Sequence, residues 1–213
     1  MRGRPEKFCN ISCWIVEPDH RTQGLLLLFE LLKCEDTTFT CLTGTKVAPI
    51  LKRFGFRRMD ERSKILFPVP HLALICGCNL QVSPQEINSA MDAQDLQIFH
   101  DHLPFQYPHL LVDAHDSYSY LIVKNVKRKR LPVTEVHYLS HPEVFLRHAP
   151  HILPRLCQKM KSVGVLIGEH YLQYAPYLWS ITIPQRIPRL FRSSRLGIEQ
   201  MDTIYSELQI LNL

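Results

Sequence analysis

This chain of 213 residues has no long apolar stretch: no run exceeds that of Leu25 to Phe29, far short of the roughly 20 residues that a membrane-spanning helix needs. It also lacks a charged-then-apolar leader ending in small residues, so a cytoplasmic protein with no membrane partner is expected. The seven cysteines are odd in number and describe no disulfide framework. Cys13, Cys41 and Cys157 sit in apolar contexts, where reduced thiols pack as small hydrophobes. Zinc-knuckle spacing is missing: neither Cys9 with Cys13 nor Cys76 with Cys78 shows two intervening residues or a matching second pair, and no metal is expected. No aromatic platform is interleaved with basic residues, which argues against nucleic-acid binding. The run Lys127-Arg128-Lys129-Arg130 reads instead as a solvated turn tip between two strands.

What is there is the composition of an ordinary globular chain, 46% hydrophobic and 21% charged with a net charge of +5. Pro68 and Pro70 interrupt helix and sheet alike and place a boundary over 68–79. Before it, a strand over 11–16 leads to a helix from Arg21 to Cys34. That helix carries Leu25, Leu28, Phe29 and Leu32 on one face, and a strand over 37–43 and a helix over 46–53 follow. After it, Ser83, Pro84 and Glu86 announce a capped helix running to about His102. Strands over 110–114, 118–126 and 134–140, a helix over 143–160 and a strand over 163–167 complete the pattern. Pro176, Pro184 and Pro188 make 181–195 a loop, whose Arg186, Arg189, Arg192 and Arg195 read as solvated charge.

The histidines His100 and His102, His137 and His141, and His148 and His151 could be imagined as metal ligands; His148 and His151 lie three apart on a helix, as shared ligands would, but no acidic or thiol partner is placed near them. They read as ordinary surface or core-edge residues. His137 stands out because alternation along its strand aims it at a cleft.

The most informative segment is Trp14 to Leu28, where a strand passes through Arg21-Thr22-Gln23-Gly24-Leu25-Leu26 into an apolar helix. A helix begun in this way offers unpaired backbone N–H groups and a positive dipole end to an anion, and glycine admits close approach. The turn is similar to the coenzyme A motif of the GNAT acyltransferases, Gln/Arg-x-x-Gly-x-Gly/Ala, with Leu26 at the last position. Gly55-Phe56, opening a strand after the second helix, extends the resemblance over residues 9–70. By element order the rest of the chain resembles a second domain of the same kind, as in bacterial tandem GNAT-like proteins. Its equivalent turn, Ser140-His141-Pro142-Glu143-Val144, has no glycine.

The resemblance implies an α/β (α+β) mixed sheet of the GNAT-like acyl-CoA N-acyltransferase fold, with a partial first lobe over 1–70 and a degenerate second GNAT-like lobe over 78–213. Only about a dozen residues precede Trp14, so an N-terminally truncated first lobe is expected. It implies acetyl-CoA or another acyl-CoA as substrate, held by Ile15, Val16, Arg21, Thr22, Gln23, Gly24, Leu25 and Leu26. Glu17 is the carboxylate placed to deprotonate an amine acceptor. The family's tyrosine acid would fall at Leu51. Two readings follow: an acyl-CoA-dependent N-acyltransferase, or a GNAT-derived protein that binds without catalysis.

Overall fold

The computed structural model describes residues 6–11, 16–42, 46–59, 62–69, 79–81, 83–115, 117–173, 177–184, 187–198, 201 and 204–205. The chain divides into two compact units, one made of 1–61 with 186–213 and the other of 62–185.

The first unit holds a four-stranded sheet. Strand β1 (Lys7–Asn10) is joined through a 3-10 turn at Pro18–His20 and helix α1 (Arg21–Leu32) to its parallel neighbour β2 (Thr37–Leu42). Helix α2 (Ala48–Arg53) leads to the short β3 (Arg57–Arg58). Leu28 and Leu32 of α1, Phe39 and Cys41 of β2, and Leu51 of α2 form the core. Each such side chain contributes roughly 1.5–3 kcal/mol on full burial. Phe29, expected on the inner face of α1, is half exposed and meets Phe54 edge-on at a ring distance of 5.1 Å. Because α1 is apolar nearly all round, its sequence alone does not say which leucines face inward.

The second unit carries a seven-stranded sheet. It begins with β4 (Arg62–Leu66) and β5 (Asn79–Gln81), followed by helices α3 (Pro84–Ala90) and α4 (Ala93–His102). One helix was expected over 83–102. The chain leaves the helical region at Met91, and Asp92 restarts it, its carboxylate accepting the N–H groups of Gln94 and Asp95. The expected capping box at Ser83 does not form: the Ser83 hydroxyl donates to the Gln85 side chain at 2.9 Å. The meander β6 (His109–Ala114), β7 (Ser117–Arg128) and β8 (Leu131–Leu139) follows. Helix α5 (Pro142–Met160) then returns the chain to β9 (Val165–Gly168), parallel to β8. Phe145, Ala149, Ile152, Leu153 and Leu156 recur at helical spacing on α5 and pack on Leu121 and Val123 of β7 and on Val165. Among the described residues no helix is long and apolar enough to cross a membrane.

The segment 181–195, expected as a loop, supplies two strands, β10 (Ser180–Pro184) and β11 (Arg189–Arg192). Pro184 is tolerated because β10 lies at a sheet edge, where a missing donor costs little. In β11, Leu190 and Phe191 are buried and Arg189 and Arg192 half-buried, so these two arginines belong to a core strand, whereas Arg195 is exposed and Arg186 lies outside the described residues. Arg192 donates to the Leu32 carbonyl at 3.2 Å, and Arg195 pairs with Asp36 and Glu6.

Sheet order is β1-β2-β11-β3 in the first unit and β10-β4-β9-β8-β7-β6-β5 in the second. Read from β8 outward, β8-β9-β4-β10 repeats the senses of β1-β2-β11-β3: one parallel pair, then two antiparallel neighbours. In each sheet the third strand comes from the distant half of the sequence, β11 in one and β4 in the other.

Candidate functional site

The turn singled out in the sequence forms the start of α1. Its N-cap, His20, has φ −114° and makes no side-chain capping bond, and the first turn carries no acidic residue. The leading N–H groups are therefore left uncapped by His20, and the helix dipole favours an anion there. Arg21 and Thr22 open the helix, but their side chains lie outside the described residues, as does the whole of Ile15. Val16 is half-buried and Glu17 exposed; the Glu17 carbonyl accepts the His20 N–H at 3.0 Å. Gln23 is exposed, Gly24 is buried and Leu25 is half-buried. Leu26, at the position where the motif calls for a small residue, is 62% exposed. The structure thus places Val16, Glu17, Gln23, Gly24, Leu25 and Leu26 along one continuous turn and helix start.

Leu51, where the resemblance calls for a tyrosine acid, is fully buried in the apolar core and has no proton to give. A cavity of about 440 Å³ in this unit lies near Leu32, Cys34, Thr37, Gly55 and Arg192, at the opposite end of α1 from the turn. Gly55 has φ +84°, and the Arg192 side chain passes close above it. That cavity is separated from Gly24 by most of the length of the helix.

The corresponding region of the second unit is built differently. The β8 and β9 strands pair at only two positions, Thr134 with Val165 and Glu135 with Leu166. A register shift between Ile122 and Val123 leaves His137 as the extra residue on β8. His137 is buried, its ring 5.8 Å from that of Tyr107. Ser140 and His141 then connect β8 directly to α5. His141 takes the left-handed conformation (φ 47°), and the Ser140 hydroxyl accepts the Tyr120 N–H at 2.9 Å. No glycine intervenes between β8 and α5.

A polar network fills this end of the second unit instead, and nothing in the sequence reading pointed to it. Asp95, only 3% exposed, accepts hydroxyl hydrogen bonds from Tyr118 at 2.8 Å and Tyr138 at 2.7 Å. The Tyr118 oxygen accepts the Asp92 N–H at 3.0 Å. Bonds from the Asp95 and Gln94 N–H groups hold the Asp92 carboxyl below the usual range, the Asp95 bond contributing most. Burial and the bond to Asp95 push the Tyr118 hydroxyl well up. Ligand atoms of Asp92, Asp95 and His141 lie within 4.8 Å of one another. Asp92 Oδ1 and both Asp95 carboxylate oxygens already accept N–H or O–H hydrogen bonds, and the His141 Nδ1 lies 3.7 Å from Glu143. Its signals in sequence were Asp92 directly before a helical run and alternate tyrosines on β7.

His109 lies on the same face of the sheet, its Nδ1 at 2.6 Å from the Tyr120 hydroxyl. Burial, helped by the charge of His102, lowers its pKa to about 4. His148, on α5, is pushed below its ordinary value by burial and by Arg147 and His151. Of the cysteines whose spacing argued against zinc, Cys9 is half-buried, and Cys13, Cys76 and Cys78 lie outside the described residues.

No family model and no curated protein matches the chain. Among solved structures it is similar to a GCN5-related N-acetyltransferase from Anabaena variabilis ATCC 29413, with a TM-score of 0.52 and 10% identity over 87% of this chain. The match spans 54% of that protein, so this chain covers about half its length. An acetyltransferase candidate from Pyrococcus horikoshii gives a TM-score of 0.48 at 16% identity, covering 93% of this chain and 69% of the other. A functionally unknown conserved protein from Staphylococcus epidermidis ATCC 12228 gives 0.44 at 11% identity, over 82% and 78%. The fold is GNAT-like, a mixed α/β architecture with two mixed sheets.

Proposed function

We propose that this protein is an acyl-CoA-dependent N-acyltransferase whose coenzyme site is the start of α1. The observation that carries the reading is the β1-α1-β2 unit: a parallel strand pair joined by a helix whose N-terminus has an uncapped first turn and Gly24 within it. In this reading the phosphates of acetyl-CoA or a longer acyl-CoA meet the leading N–H groups of α1, as far as Gly24, with Ile15, Val16, Arg21, Leu25 and Leu26 alongside. An amine acceptor attacks the thioester carbonyl carbon, a C–N bond forms as the C–S bond breaks, and the departing thiolate takes a proton from solvent water. Glu17, exposed beside the turn, takes the proton from the amine.

The repeated strand order supports two GNAT-like lobes, encoded by 1–70 and 78–213, each contributing one strand to the other's sheet. The second lobe, without a glycine turn, serves as scaffold. A cytoplasmic location belongs to the same proposal.

Two observations favour a second reading, a GNAT-derived protein that binds without catalysis: Leu51 is locked in the core and Leu26 occupies the small-residue position. Thermal-shift titration with acetyl-CoA and longer acyl-CoAs tests the coenzyme site. Ligand at a hundredfold excess over Kd stabilises the native state by about 2.7 kcal/mol, and Gly24→Glu is expected to abolish the shift. Absence of any shift at millimolar ligand would refute both the site and the enzyme. A shift without acyl transfer to any amine would select the binding protein.

A further inference from the structure

One end of the second unit gathers charge and exposed apolar side chains in a way that acyl transfer does not use. Ser180, Leu66, Val165, Thr134 and Asn125 lie opposite one another across five successive strands. Beyond that row, on the same side, lie 67–69, 126–133, 161–164 and 177–179, and none of these stretches contains an acidic residue. They contain Lys127, Arg128, Lys129, Arg130 and Lys161, of which Arg128 is paired with Glu135.

The backbone at these cations is costly to maintain. Lys129 and Arg130 form the two-residue turn between β7 and β8 with φ 48° and 70°, and Lys161 follows α5 with φ 52°. These are left-handed positions, where Asn and Gly are favoured and long side chains are disfavoured. At all three the chain keeps a cation, and all three are exposed. Residues held in this conformation cluster at active sites and ligand clamps.

The same end presents Leu178, 91% exposed, Trp179, 59%, and Leu131, 54%, with Val163 beside them. Leu178 and Trp179 are held out by an ordered turn. The Phe67 N–H donates to the Trp179 carbonyl, the Ser180 N–H to Leu178, and the Tyr177 hydroxyl to Phe67, each at 2.9 Å. Apolar tips and cations at the same end of one sheet, with no acidic residue in the stretches that carry them, match the interface of an anionic bilayer, where leucine and tryptophan enter the acyl boundary and lysine and arginine meet headgroup phosphates. Of the aromatics in these stretches, Phe67 and Tyr177 are half-buried and Trp179 alone is exposed, which provides little for nucleic-acid bases to stack on.

We propose that this end of the second unit docks the protein on an anionic membrane surface, with Leu131, Leu178 and Trp179 entering the interface and Lys127, Lys129, Arg130 and Lys161 binding phosphate headgroups. The proposal is independent of the coenzyme site. Its test is flotation of the full-length chain with vesicles of phosphatidylcholine alone or mixed with phosphatidylglycerol. Binding is expected on the anionic vesicles only and is expected to weaken with salt. Lys129→Asn with Arg130→Gly should reduce it about tenfold or more while leaving the melting temperature unchanged or higher, because both replacements suit the left-handed turn. Leu178→Ser with Trp179→Ser should weaken binding at every salt concentration. The proposal is overturned if the wild-type chain does not float with anionic vesicles, or if either double variant binds as well as wild type. It is equally overturned if the chain binds single-stranded RNA and no vesicle.

Discussion

His109 shows how much a single buried titratable group can say. Its imidazole is neutral in the folded protein until about pH 4, whereas in the unfolded chain it takes up a proton near pH 6.5. Between those values the unfolded state binds more protons, so His109 contributes stability that is present above pH 6.5 and lost as the pH falls towards 4. The urea midpoint should drop across this window, and His109→Gln, which keeps a polar group but does not titrate, should flatten the drop. An identical pH dependence in the two proteins would show that burial at His109 is not its source. At this scale the sequence was least informative. Asp95 and Tyr138 lie 43 positions apart in the chain, and only the pairing of β6, β7 and β8 brings them into one hydrogen-bonded group.

Among the elements, β4 is the one whose placement the sequence concealed. Its five residues lie within the 1–70 segment of the first lobe, yet they pair with β9 and β10 of the second unit. Gly164 makes room for it. A Cβ there would stand 2.9 Å from Ile65 Cγ2 and 2.9 Å from the Leu66 carbonyl oxygen, and the latter belongs to backbone that cannot swing aside. Gly164→Ala should therefore destabilise the second unit by about 1–3 kcal/mol, read as a lower denaturant midpoint with an unchanged slope. An undisturbed midpoint would mean that the strand shifts freely. Elements with strong periodicity were legible: α5 and the β6-β7-β8 meander appear within a few residues of their expected bounds, because their apolar spacing has only one good solution. The β10 and β11 strands were hidden behind prolines and arginines whose tolerance depends on edge position and on partners elsewhere in the chain.

For the whole molecule, the chain path has an asymmetric consequence. The second unit is one continuous segment, 62–185, and every strand of its sheet lies within that segment. The first unit needs β11 between β2 and β3, and so needs both ends of the chain. A fragment spanning 62–185 should fold alone, with a cooperative thermal transition and dispersed amide resonances. A fragment spanning 1–61 should not, because its sheet would lose its third strand along with Leu190 and Phe191, which are buried against it. A non-cooperative 62–185 fragment would show that the two units are one folding unit.

The sequence by itself determined the local features: the apolar helix after Arg21-Thr22-Gln23-Gly24, the amphipathic α5, the basic tip at 127–130 and the absence of a glycine turn before α5. Each depends on residues within a turn or two of one another, where periodicity and backbone chemistry decide. Only the tertiary structure decided that β4 and β11 lie in sheets remote from their sequence neighbours, that Leu51 is core, and that Leu178 and Trp179 stand beyond the same strand ends as Lys129 and Arg130. Those outcomes depend on which strand edges remain available once the rest of the chain has packed, a competition between distant segments that local sequence does not record.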